Sequence, residues 1–458
     1  MRELARWKNS SWLKIMRIYF YTLLRKYLSL FVLPQNSVVE VDPTTSLLVG
    51  SMPQGRVTFR NMPEEIDLAH DFSDGQIIPA ETVCQYEPDY LVISGLVHYE
   101  RDIQSLLASL HGMCHQDTRL VLTYYSSLWR PFFRLASVFG LRKTAPESNW
   151  LAHEDIQNLL SLENFELVRL DNKILLPFYI PLLSNFVNRY LAPLPVLRNF
   201  CLVNIAVARP VAVDSEVNMP SVSIVVPARN EAGNIHSIVN RIPAMGPNDE
   251  IIFVEGNSTD NSWEVIQTAQ QTYGSERQIV IAQQTGKGKG DAVRLGFSLA
   301  RNEILMILDA DMTVPPEDLP KFYAAIKDHK GEFINGTRLV YPMEKEAMRF
   351  FNLLGNKFFA MAFSFVLGQR FKDTLCGTKV ISRSNYLKLA DNRSYFGEFD
   401  PFGDFDLIFG AARMGLKIVE VPIKYRERVY GETNISRWRH GAILLAMLVF
   451  AARKIKFV

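Results

Sequence analysis

The sequence predicts an α/β protein made of two doubly wound domains in tandem. Three observations carry that expectation. Short β-branched runs of strand type are repeatedly followed by a polar tip and then a helical pattern, as in a parallel sheet with crossover helices. The pattern occurs on both sides of Arg209 to Pro220, a stretch of prolines, small residues and acids without apolar periodicity that reads as a linker. The 458 residues are also enough for two or three domains with ample core. The expected boundaries are 1–208 for the first domain, 209–220 for the linker and 221–458 for the second.

In the first domain, Ser37-Val38-Val39-Glu40-Val41, Tyr90-Leu91-Val92-Ile93-Ser94 and Arg119 to Tyr125 read as strands, with helices over Ile103 to Leu110 and Ile156 to Leu162. From Ile18 to Pro210 this order, with Asp89 to Ser94 and the Asn149-Trp150-Leu151 turn, resembles a class I S-adenosylmethionine-dependent methyltransferase, a Rossmann-type fold. That family places an acidic, glycine-rich loop after its first strand. Here the loop reads Glu40-Val41-Asp42-Pro43-Thr44-Thr45-Ser46, with Asp42, Thr44 and Ser46 at the glycine positions. Side chains there obstruct close approach of a cofactor, and Pro43 restricts the residue before it. No acid is identifiable at the end of the second strand, around Val57 to Asn61. The expectation is a degenerate methyltransferase-like domain that does not use S-adenosylmethionine and serves docking, membrane association or partner binding.

In the second domain, Ser223-Ile224-Val225-Val226-Pro227 is a strand ending in Ala228-Arg229-Asn230-Glu231, with a helical pattern from Ala232. A second strand, Ile251 to Val254, ends in Glu255-Gly256-Asn257-Ser258-Thr259-Asp260. Gly286-Lys287-Gly288-Lys289-Gly290-Asp291 then opens a helix, and Ile304 to Leu308 is a buried strand ending in Asp309-Ala310-Asp311. Each polar tip follows a strand, so all fall on the carboxyl edge of a parallel sheet, where such folds bind ligands. If the chain stays extended past Leu308, Asp309 and Asp311 share a face. Two such carboxylates suit a hard divalent cation that completes its shell with water and phosphates.

From Val222 to Phe457 the joint pattern resembles a family 2 glycosyltransferase of the GT-A fold, most closely the dolichyl- or polyprenyl-phosphate mannose synthase branch. The matching pieces continue through Asn335-Gly336-Thr337-Arg338, Asp373 to Lys379, Gly403-Asp404-Phe405-Asp406 and Glu420-Val421-Pro422-Ile423. The resemblance implies that Pro227, Ala228, Arg229 and Glu231 line the nucleoside pocket and that Glu255, where the family more often has Asp, reaches the ribose or base. Lys287 and Lys289 would lie near the diphosphate, Asp309 and Asp311 would hold Mg²⁺ or Mn²⁺, with Ala310 between them, and Arg338 and Lys379 are further cationic candidates. Glu231 is also readable as a first-turn helix acid, and Arg338 or Lys379 as surface charges.

For the acceptor side the resemblance implies Asp406, with Asp404 beside it, and Arg428 for an acceptor phosphate. An acid acting on a hydroxyl would be a general base, whereas a lipid phosphate is already ionised and needs positioning. Both acids are also readable as a helix N-cap or first-turn acids, a reading that fits Asp404 better than Asp406. After Arg428 the family continues with a lysine where this chain has Asn434. The expected activity is inverting transfer of a hexose, mannose or glucose, from a nucleotide diphosphate sugar to a polyprenyl or dolichyl phosphate. The alternatives are a hydroxyl acceptor and a bifunctional methyltransferase–glycosyltransferase.

Hydrophobic content is 48% and no apolar run is long enough to span a bilayer. The aromatic helix pattern near Ala347 to Leu367 and the amphipathic C-terminal helix with its basic end suit a protein lying on a membrane surface, or equally a well-packed core. A net charge of +2 gives no support for nucleic-acid binding. Cys84, Cys114, Cys201 and Cys376 form no metal or redox motif, and no signal pattern follows Met1. A cytoplasmic protein with reduced cysteines, peripheral to the membrane, is expected; oligomeric state is not readable.

Overall fold

Residues 11–43, 47–49, 54–60, 77–138, 149–211, 219–338, 340, 350–392, 404–426, 430 and 437–458 are described by the computed structural model. Their strands sort into two seven-stranded sheets, one in each of two units: Met1–Asp214 with Lys456–Val458, and Ser215–Ile455.

The first sheet comprises β1 (Val38–Val41), β2 (Gly55–Phe59), β3 (Ile77–Pro79), β4 (Tyr90–Ser94), β5 (Arg119–Tyr125), β6 (Phe165–Lys173) and β7 (Val203–Pro210). Across the sheet the order is β3-β2-β1-β4-β5-β7-β6, with the first five parallel and β7 antiparallel to both neighbours. The central strands are buried on both faces, which is why they read as unbroken apolar runs. Val39, Leu91 and Leu120 face the helices Ile103–Met113 and His153–Leu162, while Val38, Val92 and Val121 face the Ser11–Leu28 helix. Arg209 and Pro210, read above as the start of the linker, belong to β7 instead. Arg209 is buried and donates from Nε and a terminal nitrogen to Glu166, a cross-strand pairing that local composition does not show.

The second sheet comprises β8 (Val222–Ala228), β9 (Glu250–Glu255), β10 (Gln278–Gln283), β11 (Ile304–Ile307), β12 (Phe333–Thr337), β13 (Lys379–Ser382) and β14 (Ile418–Pro422), ordered β10-β9-β8-β11-β13-β12-β14. Strands β10, β9, β8 and β11 are parallel, as the sequence implies. Strand β13 runs antiparallel to β11 and β12, so the sheet is mixed rather than parallel. The reversal has a purpose: β13 begins at the edge where β11 ends, so it delivers Lys379 and the loop before it to the tips of the parallel strands. The order also reverses between β8 and β11, which makes a switch-point crevice at their carboxyl ends.

The Phe350–Leu367 helix is mainly a core element. Phe363 is fully buried against Phe405 and Phe409, Phe359 and Phe365 are partly buried, and Phe358 is exposed. The Arg437–Ala451 helix likewise buries Leu444, Met447 and Ala451 but exposes Leu445 and Val449. Among the described residues no helix is long and apolar enough to cross a membrane.

Candidate functional site

Three loops at the carboxyl edge of the second sheet are tied to one another through backbone and short polar side chains. Gly256 N donates to Ala228 O at 2.8 Å, joining the β9 tip to the β8 tip. Asn230, held at φ 56°, accepts from Thr259 N at 2.8 Å, and its own N donates to Ser258 Oγ at 3.0 Å. Asn257 Nδ2 reaches Gly286 O at 3.3 Å, bringing in the glycine–lysine loop. A left-handed conformation is tolerable for Asn because its short polar side chain bonds locally.

The expected nucleoside-pocket residues lie on these tips. Pro227 and Ala228 end β8, and Arg229 is exposed just beyond. Glu231 is buried, and Asn234 Nδ2 bridges its carboxylate (2.8 Å) and Ala310 O (3.0 Å), which couples the β8 tip to the Asp309–Asp311 turn. Glu255 is also buried, with its carboxylate accepting from Ser258 N at 2.5 Å and Gln283 Nε2 at 3.1 Å. Beside it, Gln284 is buried at the tip of β10 and its Oε1 has no hydrogen-bond partner among the described residues.

The two aspartates do not follow strand alternation. Strand β11 ends at Ile307, Met312 N folds back to Asp309 O at 3.3 Å, and Met312 takes φ 53°. A tight turn therefore separates the carboxylates and aims each separately. Asp311 accepts from Thr313 N (3.1 Å) and Thr313 Oγ1 (2.8 Å). Asp309 meets Lys289 Nζ at 2.7 Å, both about a quarter exposed. Burial pushes the Asp309 carboxyl upward, but Lys289, then Lys379 and Arg338, outweigh it and hold the group below its ordinary value.

Lys289 opens the Lys289–Leu299 helix behind Gly288, whose φ of 89° needs glycine. Lys287 is exposed on the same loop. Gly377 closes the site from the other side. A Cβ there would lie 1.9 Å from Asp309 Oδ2 and 2.6 Å from Lys289 Nζ. Gly377 was visible as part of a motif but not as a site residue, because its constraint comes from side chains distant in sequence.

Lys379 is buried at the start of β13 and donates to Cys376 O. Arg338 is not a surface charge; it forms a bidentate pair with the fully buried Asp373, at 2.6 and 2.9 Å, and stacks over Tyr425. Burial raises the Asp373 carboxyl, but Arg338 more than compensates and leaves it at about 2. Arg338 thus shapes the loop rather than reaching out of it. Behind that loop the buried side-chain atoms Asn335 Oδ1, Asn356 Oδ1, Thr374 Oγ1 and Thr378 Oγ1 have no hydrogen-bond partner among the described residues, a polar interior suited to ordered water.

On the expected acceptor side, Asp406 is nearly buried in the first turn of the Asp404–Arg413 helix. The Asp404 side chain, Arg428 and Asn434 lie outside the described residues. No cluster of three metal-ligating side chains occurs among the described residues. Asp309 and Asp311 on one turn nonetheless fit a cation that takes one or two carboxylates and fills its shell with water and phosphate oxygens.

Residues 223–388 match the model of the glycosyl transferase family 2 family. Glycosyltransferase AglJ of Haloferax volcanii is 28% identical over 51% of this chain and 72% of its own length. The dolichol-phosphate mannosyltransferase of Pyrococcus furiosus is 30% identical over 47% of this chain and 59% of its own. The undecaprenyl-phosphate 4-deoxy-4-formamido-L-arabinose transferase of Edwardsiella ictaluri is 27% identical over 50% of this chain and 66% of its own. The matches therefore span about half of this chain and, for the last two, somewhat under two thirds of the relative.

Proposed function

We propose that this chain, whose residues 223–388 match the glycosyl transferase family 2 model, transfers a hexose from a nucleotide diphosphate sugar to a polyprenyl phosphate with inversion, at the cytoplasmic face of a membrane. The observation that carries the reading is the convergence of Asp309, Lys289 and Gly377 at the β8/β11 switch point, with Asp311 on the same turn. Relatives named for dolichol-phosphate and undecaprenyl-phosphate transfer support the acceptor class.

In this reading the β8, β9 and β10 tips hold the nucleoside, and Lys289 and Lys287 face the diphosphate. Negative charge grows on the leaving diphosphate as the glycosidic bond breaks. Lysines fixed beside it stabilise that charge more in the transition state than in the ground state. Lys289 is pre-positioned because Asp309 holds its ammonium at 2.7 Å before substrate arrives. A bound Mg²⁺ or Mn²⁺, held by Asp309 and Asp311, would add Lewis-acid charge at the same oxygens. Asp406 orients the acceptor, whose phosphate oxygen is ionised near pH 7 and needs no base.

The first unit reads as a methyltransferase-like domain that has lost its cofactor site. Arg60, directly after β2, pairs with Asp42 at 2.6 Å and Glu100 at 2.8 Å, and Asp42 itself follows β1 with φ 45°. A cation tied into ion pairs stands where a ribose-binding acid would be needed. The buried Glu40 carboxylate is also engaged, by Leu47 N and Leu48 N.

The test is a transfer assay with radiolabelled GDP-mannose and UDP-glucose, Mg²⁺ or Mn²⁺, and undecaprenyl or dolichyl phosphate in detergent. Label entering the organic phase is expected and names the donor. Nucleotide release without lipid labelling would keep the donor site and reject the acceptor; loss of a bell-shaped pH profile in Asp406→Asn would then point to a hydroxyl.

A further inference from the structure

One face of the first unit is apolar where a water-facing surface is normally polar, and two stretches of sequence make it. No acidic residue occurs between Asp117 and Glu147 or between Asp171 and Asp214, whereas Arg130, Arg134, Arg189 and Arg198 all fall within those stretches. In the first, Phe132, Leu135 and Val138 recur at helical spacing along Arg130–Val138 and are 61%, 54% and 81% exposed. They form a stripe pointing away from the core. In the second, Leu182 is 88% exposed and Val196 71%, with Phe186 and Phe200 each more than half exposed. The two stretches adjoin, because Trp129 Nε1 donates to Phe200 O at 2.9 Å.

The second stretch is not a loose loop. Two of its polar side chains turn inward and hold it. Asn188, buried, bonds both Leu176 N (2.8 Å) and Leu176 O (2.7 Å), and Ser184 Oγ bonds Phe178 O and Ile180 N. An ordinary surface loop presents polar groups to water and buries its few apolar ones. Here the arrangement is inverted, with a fixed backbone offering apolar side chains outward and cations beside them. Contiguous exposed apolar surface of this kind marks an interaction site.

We propose that this face is a docking surface for an anionic lipid bilayer, with the apolar side chains entering the headgroup–acyl boundary and the arginines meeting lipid phosphates. Charge decides the occupant: cations without interspersed acids complement an anionic leaflet, and aromatic and aliphatic side chains beside basic ones are the composition of interfacial elements. The inference concerns the first unit and holds whatever the second unit transfers.

The test is flotation of the full-length protein with vesicles of phosphatidylcholine alone or mixed with phosphatidylglycerol. Wild type is expected to float, and better with the anionic mixture. Phe132→Asp, Leu182→Asp and Val196→Asp combined replace exposed groups only, so melting should hold while vesicle partitioning falls roughly tenfold or more. Arg130→Gln, Arg134→Gln and Arg198→Gln combined should keep binding to neutral vesicles and lose the anionic preference, roughly fivefold per arginine. A folded triple-aspartate variant that floats like wild type overturns the proposal. So does a wild type that ignores vesicles but forms dimers abolished by those aspartates, which would make the face a contact between copies of this chain. If the aspartate variant does not fold, the arginine set decides: an undiminished anionic preference rejects the bilayer.

Discussion

Replacing Gly377 with alanine should disable the site through a single methyl group. The added Cβ would sit 1.9 Å from Asp309 Oδ2, 2.5 Å from its Cγ and 2.6 Å from Lys289 Nζ, so the carboxylate, the ammonium or the Gly377 backbone must move. The requirement is spatial rather than conformational, since Gly377 is not among the residues with positive φ. Two costs follow. Overpacking of this kind costs about 1–3 kcal/mol, which lowers the melting temperature of a domain this size by roughly 2–12 °C. The Asp309–Lys289 contact adds little stability of its own, about 1 kcal/mol or less, because both partners are partly solvated. Catalysis should suffer more, since displacing a fixed charge that stabilises a developing oxyanion typically lowers kcat by about 10²–10³-fold. Steady-state nucleotide release, with melting followed by circular dichroism, separates the two effects. Gly355→Ala is the control, because a Cβ there meets nothing within 4 Å among the described residues. A Gly377→Ala enzyme that melts lower but turns over at the wild-type kcat would refute the reasoning, because crowding would then spare the charges said to act.

Other substitutions test separate parts of the structure. Asp311→Ala should abolish turnover with melting near wild type, as the carboxylate is only partly buried and its bonds to Thr313 N and Oγ1 are local; full activity would overturn the metal assignment. Asp373→Asn leaves Arg338 buried without its counter-charge and should cost about 3–5 kcal/mol in denaturant titrations. Because the Asp373 carboxyl is held at about 2 in the fold, below its unfolded value, its contribution is complete above about pH 4 and lost as pH falls toward 2. That contribution is about 2–3 kcal/mol, and the acid limb should flatten in Asp373→Asn. Lys173 behaves oppositely: burial, with Arg169 and Lys456 nearby, lowers it from 10.5 to about 8 despite Asp171. The unfolded chain then binds more protons between those values, so stability should rise from pH 8 to 10.5, and Lys173→Met should raise the melting temperature and flatten that rise.

The strands that build the site were legible because each is buried on both faces. Val222–Ala228, Glu250–Glu255 and Ile304–Ile307 are continuous apolar runs with polar tips, and their neighbours compete little for an alternative conformation. Direction was less legible. Nothing within Lys379–Ser382 says that β13 runs backwards; that depends on where the preceding helix leaves the chain. The same limit explains Arg338 and Gly377. Arg338 looks like a solvated charge until Asp373, thirty-five residues on, is placed against it. Gly377 looks like one glycine of 25 until Asp309 and Lys289 arrive. Residue chemistry was thus readable locally, while the pairing that aims it was not.

The first unit shows the same distinction in reverse. If the first unit is methyltransferase-like, as proposed, Asp42, Thr44 and Ser46 stand at glycine positions, which by itself would describe a cleft that restored glycines could reopen. The ion pairs at the tips of β1 and β2 argue otherwise. Asp42 holds Arg60 through its Nε and also accepts from Arg60 N at 2.8 Å, while Glu100 accepts from a terminal nitrogen of the same guanidinium. Replacing Asp42 with glycine would strip Arg60 of one partner and, on that reading, leave its cation where a ribose would have to bind. Restoring the loop alone should therefore not restore cofactor binding. On the proposed reading the two departures are connected, because Asp42, which would obstruct the loop, also anchors the charge that would oppose a ribose.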